Sequence, residues 1–222
     1  MKVGLFGGTF NPIHLGHLRS AEEVCAAFTL DRIYFIPSAS PPHKRTTDIA
    51  PAHHRYNMVE RAVAANPAFL ASRIELDRAG PSFSIDTIRA FRTRETLPSL
   101  AFLIGMDAFC EIETWKDYLE IPNLCDLIVT SRPGVPTPPL DRLLPVALRP
   151  AFWYDPIRQR YQHESGHTLT LYTLNGLHIS ASSIRDNLRV GRPTPHQLPP
   201  AVADYIATHA LYRTREALSL EG

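Results

Sequence analysis

The sequence predicts an α/β fold built on a doubly wound parallel sheet. Short apolar runs alternate along the chain with longer stretches whose apolar residues recur at helical spacing. The runs are near-continuous in Val, Ile, Leu and Phe instead of alternating with polar residues, as expected of strands covered on both faces. Most of them stop at Gly or Pro, the punctuation of short βα connections.

Lys2–Phe6 reads as a buried strand broken by Gly7-Gly8. Leu18, Ala21, Val24, Cys25 and Phe28 put a helix over His17–Phe28. Arg32–Ile36 is a second strand ended by Pro37, and Ser38–Pro51 reads as a loop. Ala52–Ala65 is a helix closed by Asn66-Pro67, and Leu70–Leu76 is a third strand. Ser84–Thr96 is a helix with Ser84 as its N-cap. Leu100–Ile104 is a strand followed at once by Gly105, and a helix is expected within Met106–Leu119. Leu127–Thr130 is a strand stopped by Arg132-Pro133-Gly134, and Leu169–Leu174 is a further strand. Ser182–Arg189 and Pro200–Thr208 are helices.

A length of 222 residues favours one large domain over the whole chain. Pro133–Pro156 holds 7 of the 20 prolines and is too long for an ordinary connection. It reads as an inserted, largely irregular excursion or small subdomain, at about residues 135–165, serving as a variable surface loop, an interface or a lid. A helical part follows at about 182–215. The net charge of +1 argues against a charge-driven binder of nucleic acid or membrane surfaces, and leaves room for a small focused anion site. Cys25, Cys110 and Cys125 are odd in number and widely spaced, so a disulfide framework or cysteine-rich zinc site is not expected. The opening MKVGLFGGTFNP is glycine-broken and too short in apolar residues for a signal peptide. No run approaches the length of a membrane span. A cytoplasmic protein is expected, and a homo-oligomer is compatible with the composition.

Ligands of such sheets bind at the carboxyl ends of the strands. The first segment there is Gly7-Gly8-Thr9-Phe10-Asn11-Pro12-Ile13-His14-Leu15-Gly16-His17, a glycine-opened turn leading into a helix. Free backbone N–H groups and the helix dipole favour an anion at that place. Two histidines three residues apart can donate to phosphate oxygens from one side. The same residues fit a tight turn capped by histidines, or an HxxH metal pair, although no third ligand lies nearby. The second segment is Ile179-Ser180-Ala181-Ser182-Ser183-Ile184-Arg185: hydroxyls at a helix start with an arginine one turn on. It fits a second anion site or an ordinary serine cap.

Taken together, these two segments resemble the signature pair of the HxGH nucleotidyltransferases. Further matches narrow the resemblance to the bacterial nicotinate-nucleotide adenylyltransferases: Pro41-Pro42-His43-Lys44, Ser82-Phe83-Ser84-Ile85-Asp86-Thr87, Gly105-Met106-Asp107 with Trp115 eight residues later, Arg132-Pro133-Gly134, and Val202–Tyr212. The resemblance covers the chain except about residues 135–165. Asn11 stands where that family usually has Asp, and Ser182 where it usually has Thr.

The resemblance implies a Rossmann-like nucleotidyltransferase fold and transfer of the adenylyl group of ATP to nicotinate mononucleotide, with release of pyrophosphate, in NAD biosynthesis. His14, His17, Lys44 and Arg185 would act in catalysis. Gly8, Thr9, Phe10, Gly105, Asp107 and Ser182 would join His14, His17 and Arg185 in holding ATP. Lys44, Thr87 and Trp115 would meet the pyridine nucleotide. Mg2+ would arrive with ATP, with no metal held by the protein itself. Other members of the superfamily, acting on nicotinamide mononucleotide, phosphopantetheine or a polyol phosphate, and a non-catalytic nucleotide sensor, are the competing readings.

Overall fold

The computed structural model describes residues 1–40, 49–94, 99–132, 134, 140–175 and 179–213. The parallel part of the sheet comprises β1 (Lys2–Gly8), β2 (Arg32–Pro37), β3 (Phe69–Ala71), β4 (Ser99–Gly105), β5 (Asp126–Ser131) and β8 (Thr168–Thr173). Between β5 and β8 lie β6 (Phe152–Asp155) and β7 (Arg160–His163). The spatial order is β3-β2-β1-β4-β5-β8-β7-β6. The first six strands are parallel and the last two antiparallel. The chain winds outward from β1 to β3, then returns to lay β4 on the other side of β1. This reversal opens a crevice between their carboxyl ends.

The strands read as apolar runs because both faces are covered. Along β4, Leu100, Phe102 and Ile104 enter one buried cluster, and Ala101 and Leu103 the other. The first cluster packs α3 (Ser84–Arg94) through Ile85, Ile88 and Phe91. The second packs α1 (Leu15–Ala27), α2 (Ala52–Val63), α7 (Ala181–Arg189) and α8 (Pro200–Thr208), through Ala21, Val24, Met58, Val59, Ile184, Val202 and Ile206. Burying each such large side chain stabilises by about 1.5–3 kcal/mol. A Cβ on Gly4 would lie 2.9 Å from Leu30, so glycine lets that side chain close onto β1.

The structure corrects four element readings. The helix expected within Met106–Leu119 is a single turn, α4 (Met106–Phe109), followed by two 3-10 turns and the short α5 (Ile121–Leu124); Trp115 is extended and Asp117 takes a left-handed φ of 49° between the two 3-10 turns. The strand expected over Leu70–Leu76 is only Phe69–Ala71. Ser84 is the first residue of α3 and not its cap. The segment read as a largely irregular excursion or small subdomain holds α6 (Leu140–Leu143), β6 and β7, and the last two extend the main sheet. No helix among the described residues is long and apolar enough to cross a membrane.

Candidate active site

Two helix N-termini meet at the carboxyl edge of the sheet. The first belongs to α1. After Gly8, the chain bends sharply, with Phe10 at φ 46°. A Cβ on Gly8 would lie 3.1 Å from the Phe10 ring, so glycine permits the ring to fold under the turn. There it packs against Phe6, Phe35 and His17. The Phe10 side chain is therefore part of the core, and its backbone is what remains for a ligand.

His14 caps α1 in an extended conformation. Its backbone N–H donates to His17 Nδ1 at 3.3 Å. An accepting Nδ1 places the proton of a neutral His17 ring on Nε2. The two imidazoles stack with centroids 3.7 Å apart. Gly16 makes this possible, since a Cβ there would lie 3.0 Å from His14 Nδ1. His14 is 6% exposed, and its Nδ1 is buried without a hydrogen-bond partner among the described residues. Burial, aided by the Arg132 guanidinium, lowers its pKa to about 4. His14 is thus neutral at neutral pH, and the stack carries no repulsion between two imidazolium rings. No acidic side chain occupies the first turn of α1.

The second N-terminus belongs to α7, capped by Ser180. Ser180 and Ser182 are exposed and share a hydroxyl–hydroxyl bond of 2.7 Å. Arg185, one turn on, donates from Nη1 to the Asn11 carbonyl at 2.9 Å, while its Nε is buried without a partner among the described residues. Ile179 lies 3.5 Å from the position of a Gly16 Cβ, so the start of α7 abuts the start of α1. Again the first turn lacks an acid. The structure thus brings His14, His17 and Arg185 onto one loop–helix junction and leaves Ser182 exposed beside it.

A cavity of about 290 Å³ opens next to this junction, over the β1–β4 crevice. Gly8, Thr9, Gly105, Thr87 and Trp115 line it. Trp115 stands edge-on to Phe102, with centroids 6.2 Å apart. Thr87 is buried, and its hydroxyl donates to Glu75 Oε1 at 2.6 Å, so that hydroxyl belongs to the wall. Lys116 adds a cation to the lining; its ammonium bonds Asp86 at 3.0 Å. Asp107 is exposed in the first turn of α4 and is not in the cavity wall. Lys44, with the rest of Pro41-Pro42-His43-Lys44, lies outside the described residues.

Sequence reasoning gave no site role to three groups. Glu75 is buried in the cavity wall, and desolvation raises its pKa despite bonds from Thr87 and Ser82. Arg132 faces His14 electrostatically. Arg55 is 1% exposed and donates to the carbonyls of Ala50, Thr9 and Ala39 at 2.8, 2.8 and 3.3 Å. It is a buried cation balanced by backbone dipoles, tying α2 to the turn after β1. One signal for it existed: Arg55 lies on the same helical stripe as Met58, Val59, Ala62 and Val63.

Asn11, where a carboxylate is usual, is buried, with Oδ1 accepting Ala50 N–H at 3.0 Å and Tyr212 O–H at 2.9 Å. Among the described residues, no group of three or more His, Cys, Asp or Glu is placed to hold a metal ion.

A cytidylyltransferase-like family model matches residues 5–187. A "probable nicotinate-nucleotide adenylyltransferase" of Geotalea daltonii is 44% identical over 214 residues, covering 96% of this chain and 98% of that protein. One of the same name from Citrifermentans bemidjiense is 45% identical, with the same coverage. Among solved structures, the Plasmodium falciparum nicotinic acid mononucleotide adenylyltransferase complexed with NaAD superposes with a TM-score of 0.71. It covers 95% of this chain and 97% of its own at 17% identity, a likeness of fold.

Proposed function

Because the chain belongs to the nicotinate-nucleotide adenylyltransferases, within the cytidylyltransferase-like family, we propose how its own residues divide the work of adenylyl transfer. The enzyme transfers the adenylyl group of ATP to nicotinate mononucleotide, giving nicotinate adenine dinucleotide and pyrophosphate. A phosphate oxygen of the mononucleotide bonds to the α-phosphorus as the bond to the pyrophosphate oxygen breaks. The attacking oxygen is already anionic, so no general base is needed. Catalysis is then positioning and stabilisation of developing charge.

The stacked imidazoles at the α1 N-terminus, with His14 held neutral by burial, carry this reading. A ring that keeps its N–H while neutral donates to a phosphoryl oxygen without adding a buried charge. His17, with its proton on Nε2, is the principal donor, and His14 supports it. Arg185 and Ser182 hold the outer phosphates at the α7 N-terminus, and Lys44 brings a further cation. Gly8, Thr9 and Phe10 present backbone to the nucleotide, and Gly105 and Asp107 stand on the ribose side. The cavity takes the pyridine ring, with the Trp115 indole as its aromatic wall and Thr87 as part of the lining.

The described residues do not build a protein-held metal site, and position 11 offers a neutral amide. Mg2+ would arrive with ATP and would supply neutralisation of the triphosphate charge.

A pyrophosphate-release assay with ATP and Mg2+ tests the reading. Rapid release with nicotinate mononucleotide and at least tenfold slower release with nicotinamide mononucleotide is expected. Equal rates, or ATP binding without release, would overturn the substrate assignment or the catalytic one.

A further inference from the structure

A second layer of contacts lies behind the imidazoles. Tyr212 follows α8 after a turn in which Ala210 takes φ 47°, and it takes φ 67° itself. This reversal brings Leu211 and Tyr212 against the cluster that holds Phe10 and Ile13. The Tyr212 hydroxyl donates to Asn11 Oδ1, three residues before His14. The same oxygen accepts Ala50 N–H, the Asn11 carbonyl accepts Arg185, and the Thr9 carbonyl accepts Arg55. The loop carrying the imidazoles is held from α2, from the segment before α2, from α7 and from Tyr212, four residues after α8. Tyr212 is not in the cavity wall. Burial raises its pKa even with Arg185 and Arg55 close by, so its hydroxyl remains a protonated donor.

We propose that Tyr212 is a positioning residue for adenylyl transfer, fixing through Asn11 the loop on which His14 and His17 ride. The inference rests on the adenylyl-transfer reading above. A donor aimed at developing charge is worth most when it is already in place. A small displacement originating far from the chemistry costs up to about 10²-fold. Apolar packing of the Tyr212 ring anchors the segment, whereas the directional hydroxyl–amide bond sets where Asn11 sits.

Tyr212→Phe keeps the ring and removes the hydroxyl. It is expected to lower kcat about tenfold, with KM for ATP and nicotinate mononucleotide within about twofold. Asn11→Ala is expected to give a similar loss, and the double variant no more than the larger of the two. In the 15N-histidine-labelled full chain, Tyr212→Phe shifts the imidazole resonances of His14 and His17. A purely structural hydroxyl would lower Tm, leave kcat within twofold and give additive losses. That result, or unmoved imidazole resonances, overturns the proposal. If the wild-type chain releases no pyrophosphate with nicotinate mononucleotide, the substrate reading fails by itself. The imidazole resonances then decide the positioning role, shifted for it and unmoved against it.

Discussion

The two helix starts at the candidate site are built in opposite ways. At α1, the cap is a buried histidine stacked on a second one, and the Leu15 N–H is taken by the Gln197 carbonyl. At α7, the cap is an exposed serine whose hydroxyl meets, among the described residues, only that of Ser182. Both first turns are free of acids, so both dipoles are available to an anion. The contrast separates two tasks. A preformed end suits the place where charge develops during reaction, because its donors need not reorganise. An open end suits phosphates that must enter and, as pyrophosphate, leave.

Substitutions at the two ends should differ accordingly. His17→Ala removes the donor of the preformed end and should lower kcat by about 10²-fold or more, read in the pyrophosphate assay. Near-normal turnover would erase the distinction between the two ends. Arg185→Ala touches both sides, since it removes a cation from α7 and a clamp from Asn11. A loss of about 10- to 100-fold is expected, shared between kcat and KM for ATP. Ser182→Ala, at the open end, should cost about fivefold, mostly in KM for ATP. Asn11→Asp keeps both acceptor contacts of the side chain and should leave turnover within about tenfold.

The smallest effect is on stability and concerns the buried cap alone. His14 titrates near 4 when folded and near 6.5 when unfolded. Between these values the unfolded chain binds the extra proton, so the stability due to a neutral His14 is complete above pH 6.5 and is lost as pH falls toward 4. His14→Gln should flatten the fall of Tm across that window by several degrees, at about 2–4 °C for each kcal/mol of that linkage. A residual slope is expected from His54 and His163, whose pKa values are also lowered by burial.

Most of the parallel sheet was legible because a strand buried on both faces leaves a continuous apolar run, as in Leu100–Ile104. Helix α8 was legible to the residue, bounded by Pro199-Pro200 and the loss of apolar spacing after Thr208. Strands β6 and β7 were not, since Phe152–Asp155 and Arg160–His163 are four residues each, partly exposed, and paired antiparallel through a polar turn. The site divides along the same line. His14, His17, Ser182 and Arg185 lie in local segments whose chemistry shows in their order. Glu75 and Tyr212 act through partners 12 and 201 positions away, and no local pattern announces such a contact.

The sheet also ends cautiously on both sides. Its outermost strands are β3, with three residues, and β6, with four. Pro67 stands two positions before β3, Pro150 two before β6, and Pro156 directly after it. A proline can neither donate to a ladder nor lengthen one. Unpaired backbone on a long edge is a template for another chain. By cutting both edges short, the prolines make the protein a poor seed for edge-to-edge aggregation. The test is direct: Pro156→Val should lengthen β6 and raise the aggregation rate on prolonged incubation, while leaving turnover unchanged.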